Sequence, residues 1–188
     1  MDGIAQLHRQ ALDETGTVVA GVGKEQLDLP TPCDGWDVRD LLNHLVSGNL
    51  WASELGAGAT IEDVGDRFDG DVLGDDVLGA YEASAMLAAA TFEAPGALDA
   101  PCAVSYGPVP GSVYAGHRFI DVLIHGWDLA IATAQDTALD PELIDAAYEL
   151  LQEEADMVRA SGVFGESLSV PADADSQTRL LAFIGRRG

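Results

Sequence analysis

The sequence has little positive charge. Nine lysines and arginines stand against 32 aspartates and glutamates in 188 residues, a formal net charge of -23 at pH 7 with a pI near 4.1, and Lys24 is its only lysine. A surface of that sign repels phosphate backbones and anionic lipid headgroups, which call for clusters of basic residues, so neither nucleic acid nor a membrane is an expected partner. Cysteine is scarce too. Cys33 and Cys102 lie far apart, without the close pairs of a zinc ribbon or the density of a secreted disulfide scaffold, and read as reduced, packed thiols. No apolar run approaches the length of a membrane span, and Asp2 stands where a signal peptide would begin with basic residues, so a cytoplasmic location is expected. Aromatic residues supply only 6% of the chain while hydrophobic residues make up 47%, mostly alanine and leucine, a mix that favours helices over strands. The length suits one domain over residues 1–188 with a core of its own.

Apolar periodicity organises the chain into helices. Ile4, Leu7, Ala11, Leu12, Thr15, Val18, Val19 and Val22 share one helical face and predict a first helix from about Ile4 to Val22. The prolines and glycine of LDLPTPCDGWD end it, and Asp37 with Asp40 forms a capping-box start for a second helix from about Val38 to Leu55. Gly-Ala-Gly and the acidic stretch from Glu62 to Asp71 interrupt the pattern before a third helix, roughly Asp75 to Glu93. The segment APGALDAPCAVSYGPVPGS is rich in proline and glycine and is expected to cross the end of a bundle as a lid, with a short strand at Cys102 to Tyr106. A very apolar helix follows from Ser112 to Thr133. Asp140 then caps a fifth from about Pro141 to Ala160, and an extended tail from Val163 leads to a short helix from about Ser176 to Ile184. The expected architecture is an all-α four-helix bundle with an additional short C-terminal helix.

Two of these helices carry residues with chemical potential. On the second, Asp37, Leu41, His44, Gly48, Trp51 and Leu55 fall along one stripe, setting His44 among apolar neighbours. A buried neutral imidazole needs a partner for each ring nitrogen, either a hydrogen-bonding group or a metal from another element. Taken alone, His44 reads as a satisfied core histidine. The Ser112–Thr133 helix shifts that balance: Phe119, Ile120, Leu123, Ile124, Trp127 and Ile131 form a wide apolar sector, and His117, Arg118, Asp121, His125 and Asp128 a narrow polar stripe without the lysine and glutamate of an ordinary exposed face. Asp121 and His125, four residues apart, project from adjacent turns toward one point, as two metal ligands on a helix must. With His44 they make two imidazoles and one carboxylate, the count of a site with positions left open for water, thiolate or substrate.

The spacing also permits Asp121 to pair with His117, one turn before it. Both histidines cannot serve one tetrahedral ion, because eight residues separate their Cα atoms by about 12 Å along the axis. Asp128, three residues after His125, is placed either to accept the free ring N–H of a ligating histidine or to stand as an ordinary helix-surface carboxylate. Trp36, Trp51 and Trp127 suit an apolar mouth for small organic electrophiles, although tryptophans at helical spacing are more often core.

The blocks TPCDGWDVRDLLNHL and HRFIDVLIHGWDLA resemble the two signatures of the mycothiol-dependent maleylpyruvate isomerase metal-binding domain, a branch of the DinB-like superfamily. The closing segment FGESLSVPADADSQTRLLAFIGRRG is similar to the end of an uncharacterised actinobacterial subfamily of that branch. The resemblance implies a DinB-like bundle holding a divalent metal, usually zinc, through a histidine of the second helix and an acid-xxx-histidine pair of a later one. Those positions fall on His44, Asp121 and His125, with glutamate often standing where this chain has Asp121, and they leave His117 as a bystander or outer neighbour of the metal. Nickel and iron(II) suit the same donors.

Relatives with assigned chemistry are thiol transferases and isomerases in which the metal lowers the pKa of a low-molecular-weight thiol. The expected function is therefore a mycothiol-dependent S-transferase-like enzyme joining a small thiol to an electrophile at zinc. Maleylpyruvate isomerisation is not expected, since the isomerase carries a further C-terminal domain for which a chain ending at Gly188 leaves no room. The rival expectation is a metal-binding or structural homodimer that retains the same site without turnover.

Overall fold

A computed structural model describes residues 3–153, 155 and 165–187. The chain divides into two compact units, Met1–Thr137 and Ala138–Gly188.

In the first unit four long helices, α1 (Gly3–Ala20), α2 (Val38–Gly56), α4 (Val77–Glu93) and α5 (Gly111–Thr133), form a bundle; α3 (Ile61–Val64) is a single capped turn between α2 and α4. Both α1 and α2 pack on α4 and α5, so α1 and α2 occupy opposite corners of the ring. The start of α2 follows from its cap. Asp37 accepts from the Asp40 amide at 2.9 Å while the Asp40 carboxylate takes the Asp37 amide, satisfying two donors that a helix N-terminus leaves open. From there Leu41, Leu42, Leu45, Val46, Ala52 and Leu55 are buried at helical spacing.

Small residues let α1 and α5 approach closely. A Cβ on Gly126 would lie 2.2 Å from Thr15 Oγ1, and that hydroxyl instead donates to the Val122 carbonyl at 3.1 Å. The Tyr81 hydroxyl of α4 donates to the Leu12 carbonyl of α1 at 2.9 Å, and the Asn49 amide of α2 donates to Ser84 Oγ of α4 at 3.3 Å. These buried polar contacts fix the azimuth of each helix, which apolar packing alone specifies loosely.

The segment before α5 holds an antiparallel hairpin, β1 (Pro101–Val104) and β2 (Gly107–Pro110), with Cys102 opposite Val109. The reversal uses Gly107 at φ 117°, a conformation that favours glycine. The expected strand at Cys102 to Tyr106 thus ends at Val104 and has a partner. Cys102, Val104 and Val109 cover Phe92, Tyr114 and Trp51 in one apolar cluster, and the Gly111 and Ser112 amides pin the hairpin base to the Ala100 and Leu98 carbonyls.

In the second unit, α6 (Pro141–Glu153) begins where the Asp140 carboxylate accepts the Glu142 amide at 2.7 Å. Its expected continuation to Ala160, and the first residues of the tail at Val163, lie outside the described residues. The last helix, α7 (Ser176–Phe183), is capped by Asp175. Tyr148 of α6 meets Phe183 edge-on at 5.8 Å, and Gln177 accepts the Leu139 amide. Among the described residues no helix is long and apolar enough to cross a membrane.

Candidate metal centre

The site lies between α2 and α5. Spacing of four on α5 brings Asp121 and His125 to one face, and α2 supplies His44 across from them. Asp121 Oδ1 lies 3.2 Å from His44 Nε2 and 3.6 Å from His125 Nε2, and the three groups offer ligand atoms all within 4.8 Å of one another. With metal bonds of about 2.0–2.1 Å, tetrahedral ligand atoms stand about 3.3 Å apart, so both measured separations match that donor set. The His44 and His125 rings meet edge-on with centroids 4.9 Å apart. Side-chain exposures of 34% for His44, 25% for Asp121 and 16% for His125 leave one side of the cluster open to solvent or a small molecule.

The loop before α2 completes this mouth. Thr31 Oγ1 accepts the Cys33 amide and donates to the Trp36 carbonyl, while the Trp36 amide returns to the Cys33 carbonyl around Gly35 at φ 78°. The knot sets the Trp36 indole 5.0 Å from the His44 ring and 6.1 Å from the His125 ring. It also brings Cys33 under His125. Asp128, fully buried, accepts from His125 Nδ1 at 3.0 Å and from the Cys33 thiol at 3.3 Å, with Cys33 Sγ 3.7 Å from the same ring nitrogen. Holding Nδ1–H in this way turns Nε2 toward Asp121. Cys33, His125 and Asp128 form a second set with ligand atoms within 4.8 Å, sharing His125 with the first.

The electrostatics call for a cation. Burial opposes ionisation of Asp121, yet the Arg118 guanidinium, the His44 hydrogen bond and the two imidazoles outweigh it and hold the carboxyl well below the usual carboxylate range. Burial also opposes protonation of His125, but its hydrogen bonds to Asp128 and Cys33 and the charges of Asp121 and Asp128 push its pKa up to about 10. Without a metal, the carboxylates hold a proton on that ring, and a divalent ion at Nε2 would supply positive charge in its place. By donor chemistry, spacing and charge the three residues fit such an ion.

A family model for the mycothiol maleylpyruvate isomerase N-terminal domain matches residues 8–130. The chain belongs to that family. An uncharacterized protein found in two strains of Mycobacterium tuberculosis is 38% identical over 184 residues, covering 95% of either chain. Two crystal structures of mycothiol-dependent maleylpyruvate isomerase, one a histidine-to-alanine mutant, share the DinB-like bundle at 17% identity. Their TM-scores are 0.64 and 0.62, over 88% and 82% of this chain and 73% and 71% of theirs.

In this family member the other residues singled out in the sequence have separate surroundings. His117 points its Nδ1 to the Tyr106 hydroxyl of the hairpin. Trp51 meets Phe68 edge-on at 6.0 Å, and Trp127 is buried with no partner for its indole N–H among the described residues. Trp36 is the tryptophan whose ring meets both imidazoles. Sequence reasoning missed Cys33, which is half-buried against His125 and Asp128. Its place three residues before Trp36, in a loop that must fold back onto α2, was the available signal.

Proposed function

We propose that His44, Asp121 and His125 bind a divalent transition metal, zinc in the first instance, and that the protein is a cytoplasmic mycothiol-dependent S-transferase-like enzyme. The observation that carries this reading is the convergence of two imidazole nitrogens and one carboxylate oxygen beside Trp36, with one side open. Membership of the family, and the names of the isomerase structures that share its fold, support mycothiol as the thiol. When bound, the metal supplies Lewis acidity that lowers a thiol's pKa at neutral pH.

The chain's own residues do the rest. Asp128 fixes the ring of His125 so that Nε2 faces the site. Trp36 lends an apolar wall beside the two imidazoles, suited to a small organic electrophile. The ring N–H of His44 is within reach of Asp121 Oδ1 at 3.2 Å and His125 Nε2 stands 3.6 Å from the same oxygen, so in the metal-free protein the carboxylate keeps the two rings close together.

Elemental analysis of untagged protein should find about one transition-metal ion per chain. Metal-loaded protein incubated with mycothiol and a panel of electrophiles should form conjugates faster than the thiol alone, as followed by mass spectrometry. Protein that refuses added zinc sinks the metal reading. Zinc-loaded protein with no rate above background across the panel leaves a non-catalytic metal-binding protein, whose oligomeric state sedimentation would then establish.

A further inference from the structure

We propose that Arg118, seated on Gly48, is a positioning residue that commits Asp121 to binding the metal through one oxygen; this rests on the metal-binding reading above. The two oxygens of Asp121 face different neighbours. Oδ1 looks toward His44 and His125, while Oδ2 accepts from Arg118 Nη1 at 2.8 Å. An oxygen so engaged is withheld from the metal, and the carboxylate cannot rotate without breaking a charge-assisted hydrogen bond.

Arg118 is itself held from the neighbouring helix. It is only 7% exposed, and its guanidinium lies over Gly48, one turn beyond His44 on α2. A Cβ at that position would stand 2.6 Å from both terminal nitrogens and 2.7 Å from Cζ. No side chain other than glycine's leaves the guanidinium where it is. Gly48 is helical, so its backbone conformation alone does not require glycine; the space does. Nη2 continues to Asn49 Oδ1 at 3.4 Å, Asn49 donates to Ser84 Oγ at 3.3 Å, and Ser84 donates to the Tyr81 carbonyl at 2.9 Å. The orientation of one proposed ligand is thereby tied through three side chains to α4.

The fold alone gives little reason for a cation here. Arg118 Nε is buried with no hydrogen-bonding partner among the described residues, and an unmet N–H in a bundle interior is unfavourable for stability. Among those residues its one charge-assisted contact is with Asp121, beside the longer one to Asn49.

The test compares Arg118→Met, Arg118→Lys and Gly48→Ala with the parent protein and with His44→Ala. Helicity is checked by circular dichroism, zinc affinity by competition with a chromophoric chelator, and coordination by the visible spectrum of the cobalt(II)-loaded protein. Arg118→Met and Gly48→Ala should weaken zinc about 10- to 100-fold, the usual effect of removing a residue that orients a ligand. Both should also lower the intensity of the cobalt bands, because a freed Oδ2 raises the coordination number. Arg118→Lys restores a charge without the planar fork and should recover part of the affinity but not the parent spectrum. Parent affinity and spectrum in folded Arg118→Met or Gly48→Ala overturn the proposal. Should Arg118→Met not fold, Gly48→Ala decides alone, since it keeps the arginine and displaces it. Failure of the metal reading looks different: the parent would then bind no zinc, or His44→Ala would bind it as the parent does.

Discussion

His8, buried on α1, and His125, half-buried on α5, belong to the same bundle, and their surroundings drive them in opposite directions. Beside His8, Phe92 stands edge-on at 5.2 Å, and neither ring nitrogen has a partner among the described residues. Burial, followed by the charges of Arg118 and Arg9, lowers its pKa from 6.5 to about 3. Around His125 the cost of burial is exceeded by two carboxylates and a thiol, and the pKa rises to about 10. Burial therefore does not decide what a histidine is for; the sign and placement of the neighbouring charges do. The His8 region is built to keep a ring neutral, and the His125 region is built around positive charge, whether proton or metal.

The largest expected effect comes from dismantling the second region. His44→Ala, Asp121→Ala and His125→Ala should each lose most bound zinc, because each removes one of only three proposed protein ligands. Metal content of the purified, still-helical variants is the measurement. His8→Met should bind zinc like the parent, and a loss there would erase the distinction between the two regions.

Proton competition gives the next effect. A ring with a pKa near 10 must shed its proton before Nε2 can bind a metal, so zinc affinity should rise about tenfold per pH unit from neutrality toward pH 9. Asp128→Asn removes a charge that holds the proton. Its affinity should level off nearer the ordinary histidine range, and a slope that persists unchanged to pH 9 would show that Asp128 does not hold the proton.

His8 gives a pH dependence at the acid end instead, in overall stability. Its folded pKa lies below its ordinary value, so between pH 6.5 and about 3 the unfolded chain takes up a proton that the native one refuses. The neutral ring's contribution is complete above pH 6.5 and is lost as the pH falls toward 3, at no more than about 1.4 kcal/mol per pH unit for one group. Urea unfolding of parent and His8→Met between pH 7 and 4 should diverge by that slope. Parallel curves would mean that the ring finds a partner or solvent in solution.

The two regions were unequally legible in the sequence. The start of α2 was readable because a capping box is local, and Asp37 with Asp40 announces it whatever packs nearby. The polar stripe of α5 was readable because His125 and Asp121 sit four apart within one helix. His8 drew no notice, since a single histidine on an apolar face carries no mark of being unpartnered. The pairing of Gly48 with Arg118 and that of Cys33 with Asp128 join residues 70 or more positions apart, and no periodicity reports which side chains meet across a bundle. The hairpin was half visible for the same reason: proline and glycine mark the reversal, but pairing depends on Cys102 meeting Val109.

The smallest effect belongs to a third histidine, which sharpens the comparison along α5 itself. His117 and His125 both stand one turn from Asp121, and spacing alone does not tell them apart. The structure gives His117 a hydrogen bond with Tyr106, a residue 59% exposed on the hairpin, and gives His125 the buried Asp128 and the face toward His44. Exposed polar pairs contribute little, so His117→Ala should change stability by under about 1 kcal/mol. It should also leave zinc bound, altering at most how the hairpin meets a substrate. His125→Ala should lose the metal although it removes the same side chain from the same helix. Denaturant unfolding and metal content of the two variants, prepared side by side, settle which turn of α5 faces the site. Zinc lost from His117→Ala but kept in His125→Ala would reverse the assignment and take with it the roles given to Asp128 and Cys33.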